Sequence, residues 1–280
     1  MTLKIYVSIL VLSSLLLNIY FAAEAQTEKK KKNDVKDKPL NKPYSEDLWR
    51  NQTKEWKMKE WNNFMEHAEE ELKHFDDIIN KEIEGWVKDH DISVKEWLEE
   101  KEKKWMNFNA QMDSEYKSDL KNKSSSWNEK QWKDWLNGNG KKLLEKDWQE
   151  YINNLDSHIA NILNANWNKF KVNIIMEWNS LGWKVQEDKR WLKYAIMGPP
   201  DPKTPEEKVD AANYNEWRER NESQRKQWFQ WITEKERART KNGSPTFSKW
   251  KNNKQSVFNK WVAAFINKLS QEKQWNSWFR

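Results

Sequence analysis

This 280-residue chain is 34% charged, has a mean hydropathy of −1.17 and carries 21 tryptophans but no cysteine. Disulfide scaffolds and thiol chemistry are excluded, and beyond the first 25 residues no stretch is apolar enough to cross a bilayer. A chain so polar and so poor in aliphatic residues would ordinarily be disordered, but each buried tryptophan hides about 200 Å² and contributes up to about 5 kcal/mol. Tryptophan therefore stands in for leucine, and a folded domain is expected.

At the start, Lys4 precedes an apolar run from Ile5 to Leu17, and Ala23-Glu24-Ala25 supplies small residues at its end. This predicts a signal peptide over 1–25, cleaved before Gln26, with a retained N-terminal anchor as the alternative. Residues 26–44 are lysine-rich, contain two prolines and show no apolar period, so they read as a flexible basic linker. The tryptophan-rich domain is expected over 45–280, starting at Ser45, a plausible N-cap followed by Glu46 and Asp47.

From Trp49 to Trp86 apolar residues recur at helical spacing, and after an expected interruption at His90–Ser93 the stripe resumes from Val94 through Leu120. Ser124–Ser126 and Gly138-Asn-Gly140 read as further breaks. Beyond them Leu143, Leu144, Trp148, Ile152 and their successors to Leu181 predict one unusually long helix. Gly198-Pro-Pro-Asp-Pro-Lys-Thr-Pro205 must stop any helix, and Thr204-Pro205-Glu206-Glu207 restarts one with Thr204 at the N-cap and Glu207 at N3. Within it Trp217, Trp228 and Trp231 fall within about 60° of one another on the helix surface. Asn242-Gly-Ser-Pro245 ends that helix, and a last segment runs from Thr246 to the terminus.

Tryptophan pairs eleven apart recur at Trp86/Trp97, Trp167/Trp178 and Trp250/Trp261, without a fixed repeat length. No strand-like alternation occurs anywhere. The fold class expected is all-α, an elongated bundle of three long, interrupted helical arms. Trp217, Trp228, Trp231, Trp250 and Trp261 are its expected structural core.

The segments KEWKMKEWNNFM (54–65), KEWLEEKEKKWMNF (95–108), WNEKQWKDWL (127–136), KQWFQWITEKE (226–236) and KWKNNKQSVFNKWVAAFINK (249–268) resemble the tryptophan-rich antigens of malaria parasites. The likeness spans roughly 45–280. It implies a secreted blood-stage antigen at the merozoite surface or the infected red cell, erythrocyte binding, and a three-helix bundle similar to lipid-binding BAR domains. The family's motifs are loose, so no binding residue carries over by position.

Chemistry is sparse. His67 and His74 are too far apart along a helix to share a metal, His90 and His158 stand alone, and no nucleophile motif, phosphate loop or Cys/His cluster exists. An enzyme is not expected, nor a cofactor. The sequons at Asn51, Asn122 and Asn221 are acceptor motifs too short to be decisive.

Charge distribution is more informative. Residues 45–122 hold 13 basic and 21 acidic side chains, whereas residues 241–280 hold eight basic and one acidic. Either the basic end packs beside the acidic arm, or it faces an anionic surface. Counted at 100° per residue from Phe247, the residues Lys249, Lys260 and Trp278 share the face opposite Trp250, Phe258, Trp261, Phe265 and Leu269. The candidate contact site is therefore Lys249, Lys251, Lys260, Lys268, Lys273, Trp275, Trp278, Phe279 and Arg280, with the rings at headgroup depth and the lysines on anionic membrane lipid. An erythrocyte surface receptor bound through exposed aromatics is the alternative, and secretion argues against nucleic acid. The oligomeric state is open.

Overall fold

The structure, a computed structural model, describes residues 52–199 and 201–279. The expected signal peptide and linker, Ser45, Trp49, the Asn51 sequon and Arg280 lie outside the described residues. Those residues are all-α: α1 (Lys54–Met106), three short helices α2 (Ala110–Glu115), α3 (Leu120–Lys123) and α4 (Glu129–Trp135), then α5 (Lys141–Asn179), α6 (Gly182–Met197), α7 (Pro205–Asn242) and α8 (Pro245–Gln271). A 3-10 turn at Gln274–Ser277 follows α8.

Side-chain capping sets the start of several of these helices. Asn109 accepts from the amides of Gln111 and Met112 to start α2, and Asn128 and Gln131 form a reciprocal capping box at α4. Glu207 N–H donates to Thr204 Oγ1 while the Thr204 amide donates back to Glu207 Oε2. Ser244 caps α8 with Pro245 at its first turn, directly after Gly243 turns the chain at φ +55°.

Three of the sequence's boundaries need correction. The chain does not break at His90–Ser93: α1 passes straight through, His90 donates from Nδ1 to the Trp86 carbonyl at 2.9 Å, and its ring stacks on Trp86. The polar stretch is one turn of a continuous helix, with Asp91 accepting from Trp250 at 2.6 Å. Gly138-Asn-Gly140 is not a turn either but part of a π-helical turn, Leu136–Gly140, joining α4 to α5. A Cβ on Gly140 would stand 3.2 Å from Trp135 Cζ3, so glycine is needed there for close approach and not for a chain reversal. The long helix ends at Asn179, and Leu181, in extended conformation, opens α6.

Two compact units divide the chain, each taking part of α1 and part of α5. The first contains the described residues up to Phe75 together with Asn166–Thr240; the second contains Asp76–Ala165 and the described residues from Lys241. In the first unit the core is Trp61, Phe64, Ala68, Leu72, Trp167, Phe170, Ile174, Trp178, Trp183, Trp191, Tyr214, Trp217 and Ile232. In the second, Trp105, Phe108, Trp148 and Phe258 are almost wholly enclosed with Leu120, Leu136, Leu144 and Leu269.

Each unit takes helices from distant parts of the sequence, so severing the chain in the proline segment should separate partners that cannot bury their stripes alone. Fragments 45–198 and 206–280, made separately, are expected to lack cooperative thermal transitions by circular dichroism. A sharp transition in each fragment would contradict this.

Candidate functional site

Among the described residues no tryptophan is exposed. Trp217 and Trp250 are buried, and Trp228, Trp231 and Trp261 are half-buried along the same stripes. Six indole N–H groups cross-link helices. In the first unit Trp61 donates to Gln227 at 2.6 Å, Trp167 to Glu236 at 3.2 Å, Trp217 to Asp188 at 2.8 Å and Trp231 to Glu69 at 2.8 Å. In the second Trp148 donates to Gln255 at 2.7 Å and Trp250 to Asp91 at 2.6 Å. Every one of these bonds joins two different helices, so one side chain supplies both apolar area and a directional restraint.

The basic last segment is likewise bound into its own unit. α8 has no acidic residue along its length. Lys251 donates to Asp156 of α5 at 2.8 Å, Lys254 to Asp91 of α1 at 2.7 Å, and Lys268 to Glu102 of α1 at 2.7 Å. Lys273 pairs with Glu129 of α4 at 2.6 Å. Much of the charge asymmetry read from the sequence is thus matched locally. Lys249 and Lys260 stay exposed, and neither makes an ion pair among the described residues.

Trp278 is not on the solvent side. It is 4% exposed, against Phe108 at 5.0 Å and edge-on to Trp105, Trp132 and Trp135, while Trp275 stacks on Trp132 at 5.7 Å. Extrapolating the helix from Phe247 fails because α8 stops at Gln271 and Lys273 adopts φ +50°, which swings the terminal turn back into the aromatic cluster. Phe279 is half-buried, its amide bonded to the Phe108 carbonyl at 3.3 Å. Of the nine residues put forward for contact, only Lys249 and Lys260 are both exposed and without an ion pair among the described residues.

The first unit holds a cluster the sequence reading missed. Glu187, 2% exposed, accepts from Lys57 at 2.8 Å and from Arg220, itself buried. Beside it Lys184 donates to Asp188, the acceptor for Trp217. Nothing in the local pattern distinguishes these groups from solvated helical charges; only the packing of α1, α6 and α7 does. A cavity of about 240 Å³ opens next to the cluster between α1 and α7, walled by Lys54, Met58, Trp61, Arg220, Gln224 and Gln227. Its guanidinium is already committed to Glu187. No group of three or more His, Asp and Glu side chains among the described residues is placed to hold a metal, and none of the described helices is long and apolar enough to cross a membrane.

The tryptophan spacing that builds both cores has a counterpart among known families. A family model described as the C-terminal domain of tryptophan-threonine-rich Plasmodium antigens matches residues 60–278. The chain belongs to this Plasmodium antigen family. The match takes in every helix but the first turn and a half of α1. No curated protein matches the chain.

Two outcomes are expected from this packing. Trp217→Ala, at a buried and hydrogen-bonded ring, should cost about 3–5 kcal/mol in denaturant unfolding, and Trp261→Ala, half-exposed, about half that or less; equal and small losses at both would contradict the interior role. Acid should also destabilise the antigen through its paired carboxylates. Hydrogen bonding from Lys235 holds Glu69 below its ordinary range; at Asp91 burial opposes the shift, but bonds from Lys254 and Trp250 outweigh it. Lys133 and Lys273 bring Glu129 from 4.5 down to about 2. Since these folded-state values are depressed, the stabilisation is complete above the unfolded carboxylate range and is lost as pH falls through the folded values. The thermal midpoint should hold from pH 7 to about 5 and fall between about 4.5 and 2; a flat profile down to pH 2 would contradict the pairing.

Proposed function

We propose that the chain is a non-catalytic antigen exposed on the parasite surface or exported to the infected red cell, where it docks on the anionic face of the red-cell membrane while its tryptophans serve as interior scaffold. The observation that carries this reading is the outer side of α8. It presents Lys249, Asn253, Val257, Lys260 and Ala264 to water, from a helix with no acidic residue. Two lysines near an anionic lipid surface contribute about 1 kcal/mol each. That is weak for a single copy, so binding should be reversible and salt-sensitive.

Membership of a Plasmodium antigen family supports a role at the host interface. The burial of Trp275 and Trp278 removes the indoles that would sit at headgroup depth. That burial favours the second reading, an erythrocyte protein receptor engaged by polar helical faces with tryptophan purely structural.

Sedimentation with vesicles of anionic and of neutral lipid, and binding to intact red cells, separates the two. The intact protein is expected to co-sediment with anionic vesicles only, less at high salt, and Lys249→Glu with Lys260→Glu should lower that binding about tenfold or more without changing helicity. Equal vesicle binding by the folded double variant would overturn this placement. Red-cell binding without vesicle binding would favour the receptor.

A further inference from the structure

Arginine is rationed in this chain. Of 50 basic residues only eight are arginine, and five of those, Arg218, Arg220, Arg225, Arg237 and Arg239, lie on α7. Two of the five turn inward: Arg220 onto Glu187, and Arg239 onto the Trp167 ring at 4.7 Å. Arg218, Arg225 and Arg237 are exposed, and none makes a salt bridge or hydrogen bond among the described residues.

Between them stands Phe229, 71% exposed. It is the one Phe, Tyr or Trp among the described residues that is exposed, in a chain that puts every described tryptophan at least half under cover. At 100° per residue Arg218, Arg225 and Phe229 lie within about 40° of one another on the outer side of α7, with Arg237 at its flank. Of the acids on that side, Glu222 pairs with Lys226 at 3.0 Å and Glu236 with Lys171 and the Trp167 indole, each at 3.2 Å, while Glu219 is exposed at the angle of Arg237. Glu222 is held below its ordinary pKa first by Lys226 and then by the field of Arg225 and Arg218, as expected where positive charge prevails.

We propose that this face of α7 is a docking surface for an acidic, amphipathic helix of a protein partner, with Phe229 as the apolar anchor and Arg218, Arg225 and Arg237 as the carboxylate clamps. The stretch from Arg218 to Arg237 covers about 28 Å of helix axis, the length of a partner helix of about five turns packed alongside. Guanidinium forks pair carboxylates bidentately where a lysine offers only a point charge. Aromatic residues and arginine are also the groups that dominate protein interfaces. A lipid surface asks for neither: lysine serves as well there, and the exposed cations elsewhere among the described residues are mostly lysine. The surface lies in the first unit, whereas Lys249 and Lys260 lie in the second, and the proposal does not rest on the membrane reading.

The test uses the full chain and a synthetic helical peptide of about five turns, with leucine on one stripe and glutamate beside it, against a control peptide in which lysine replaces glutamate. Fluorescence anisotropy is expected to show binding of the acidic peptide alone, weakened by salt. Phe229→Ala, and separately Arg218→Glu with Arg225→Glu, should each weaken it about tenfold or more. All three positions are exposed, so circular dichroism and the melting temperature should be unchanged. Equal affinity for both peptides, or undiminished binding by the folded variants, would overturn the proposal. So would a loss of anionic-vesicle sedimentation in these variants without any peptide binding, which would make the face a membrane contact. Self-association in analytical ultracentrifugation that the same substitutions abolish would instead make the occupant a second copy.

Discussion

The indole that packs on one helix while its N–H is held by another is the contact on which the rest depends. A chain this polar has too few aliphatic side chains to fill a bundle, and tryptophan solves the area problem at the cost of burying donors, of which those of Trp105, Trp183 and Trp278 find no acceptor among the described residues. The acceptors are glutamine, glutamate and aspartate on neighbouring helices: Gln227 for Trp61, Glu69 for Trp231, Asp188 for Trp217 and Asp91 for Trp250. Several acceptors are shared with cations, as Glu69 is with Lys235 and Asp91 with Lys254. Core and charged shell are consequently one network, and the same carboxylates fix helix register and neutralise lysines.

That coupling explains what could be read from the sequence and what could not. The period of Trp217, Trp228 and Trp231 announced a helix and its inward face, and Thr204-Pro205-Glu206-Glu207 announced where it starts, because both are local facts. The continuity of α1 through His90–Ser93 was not legible, since a polar helical turn and a loop look alike without the partner helices. Nor was the return of Trp278, which hangs on one left-handed residue, Lys273. Lys57, Glu187 and Arg220 carry no signal at all in the sequence, because they are brought together by contacts that span 130 and 33 residues of the chain. Phe229 escaped the sequence reading, and it stands out only because every other described Phe, Tyr and Trp is covered.

Function follows from what the network leaves over. With the described tryptophans covered and three of the five lysines of α8 paired to acids, the exposed groups singled out for partners are Lys249 and Lys260 on α8 and Arg218, Arg225, Arg237 and Phe229 on α7. Such a surface suits reversible, salt-dependent contacts with anionic groups, and it separates the residues that stabilise the antigen from those available for binding. It also lets the surface vary without disturbing the interior, provided the acceptors that serve the indoles are kept.

The central claim concerns the indole N–H groups themselves, and hydrogen exchange measured on isotope-labelled indoles of the full chain by NMR tests it most directly. The account predicts strong protection of the indole protons of Trp61, Trp148, Trp217, Trp231 and Trp250, each held by an acceptor on another helix. Exchange of these five at the rate of a free indole in water, in a protein that is otherwise helical and cooperatively folded, would contradict it.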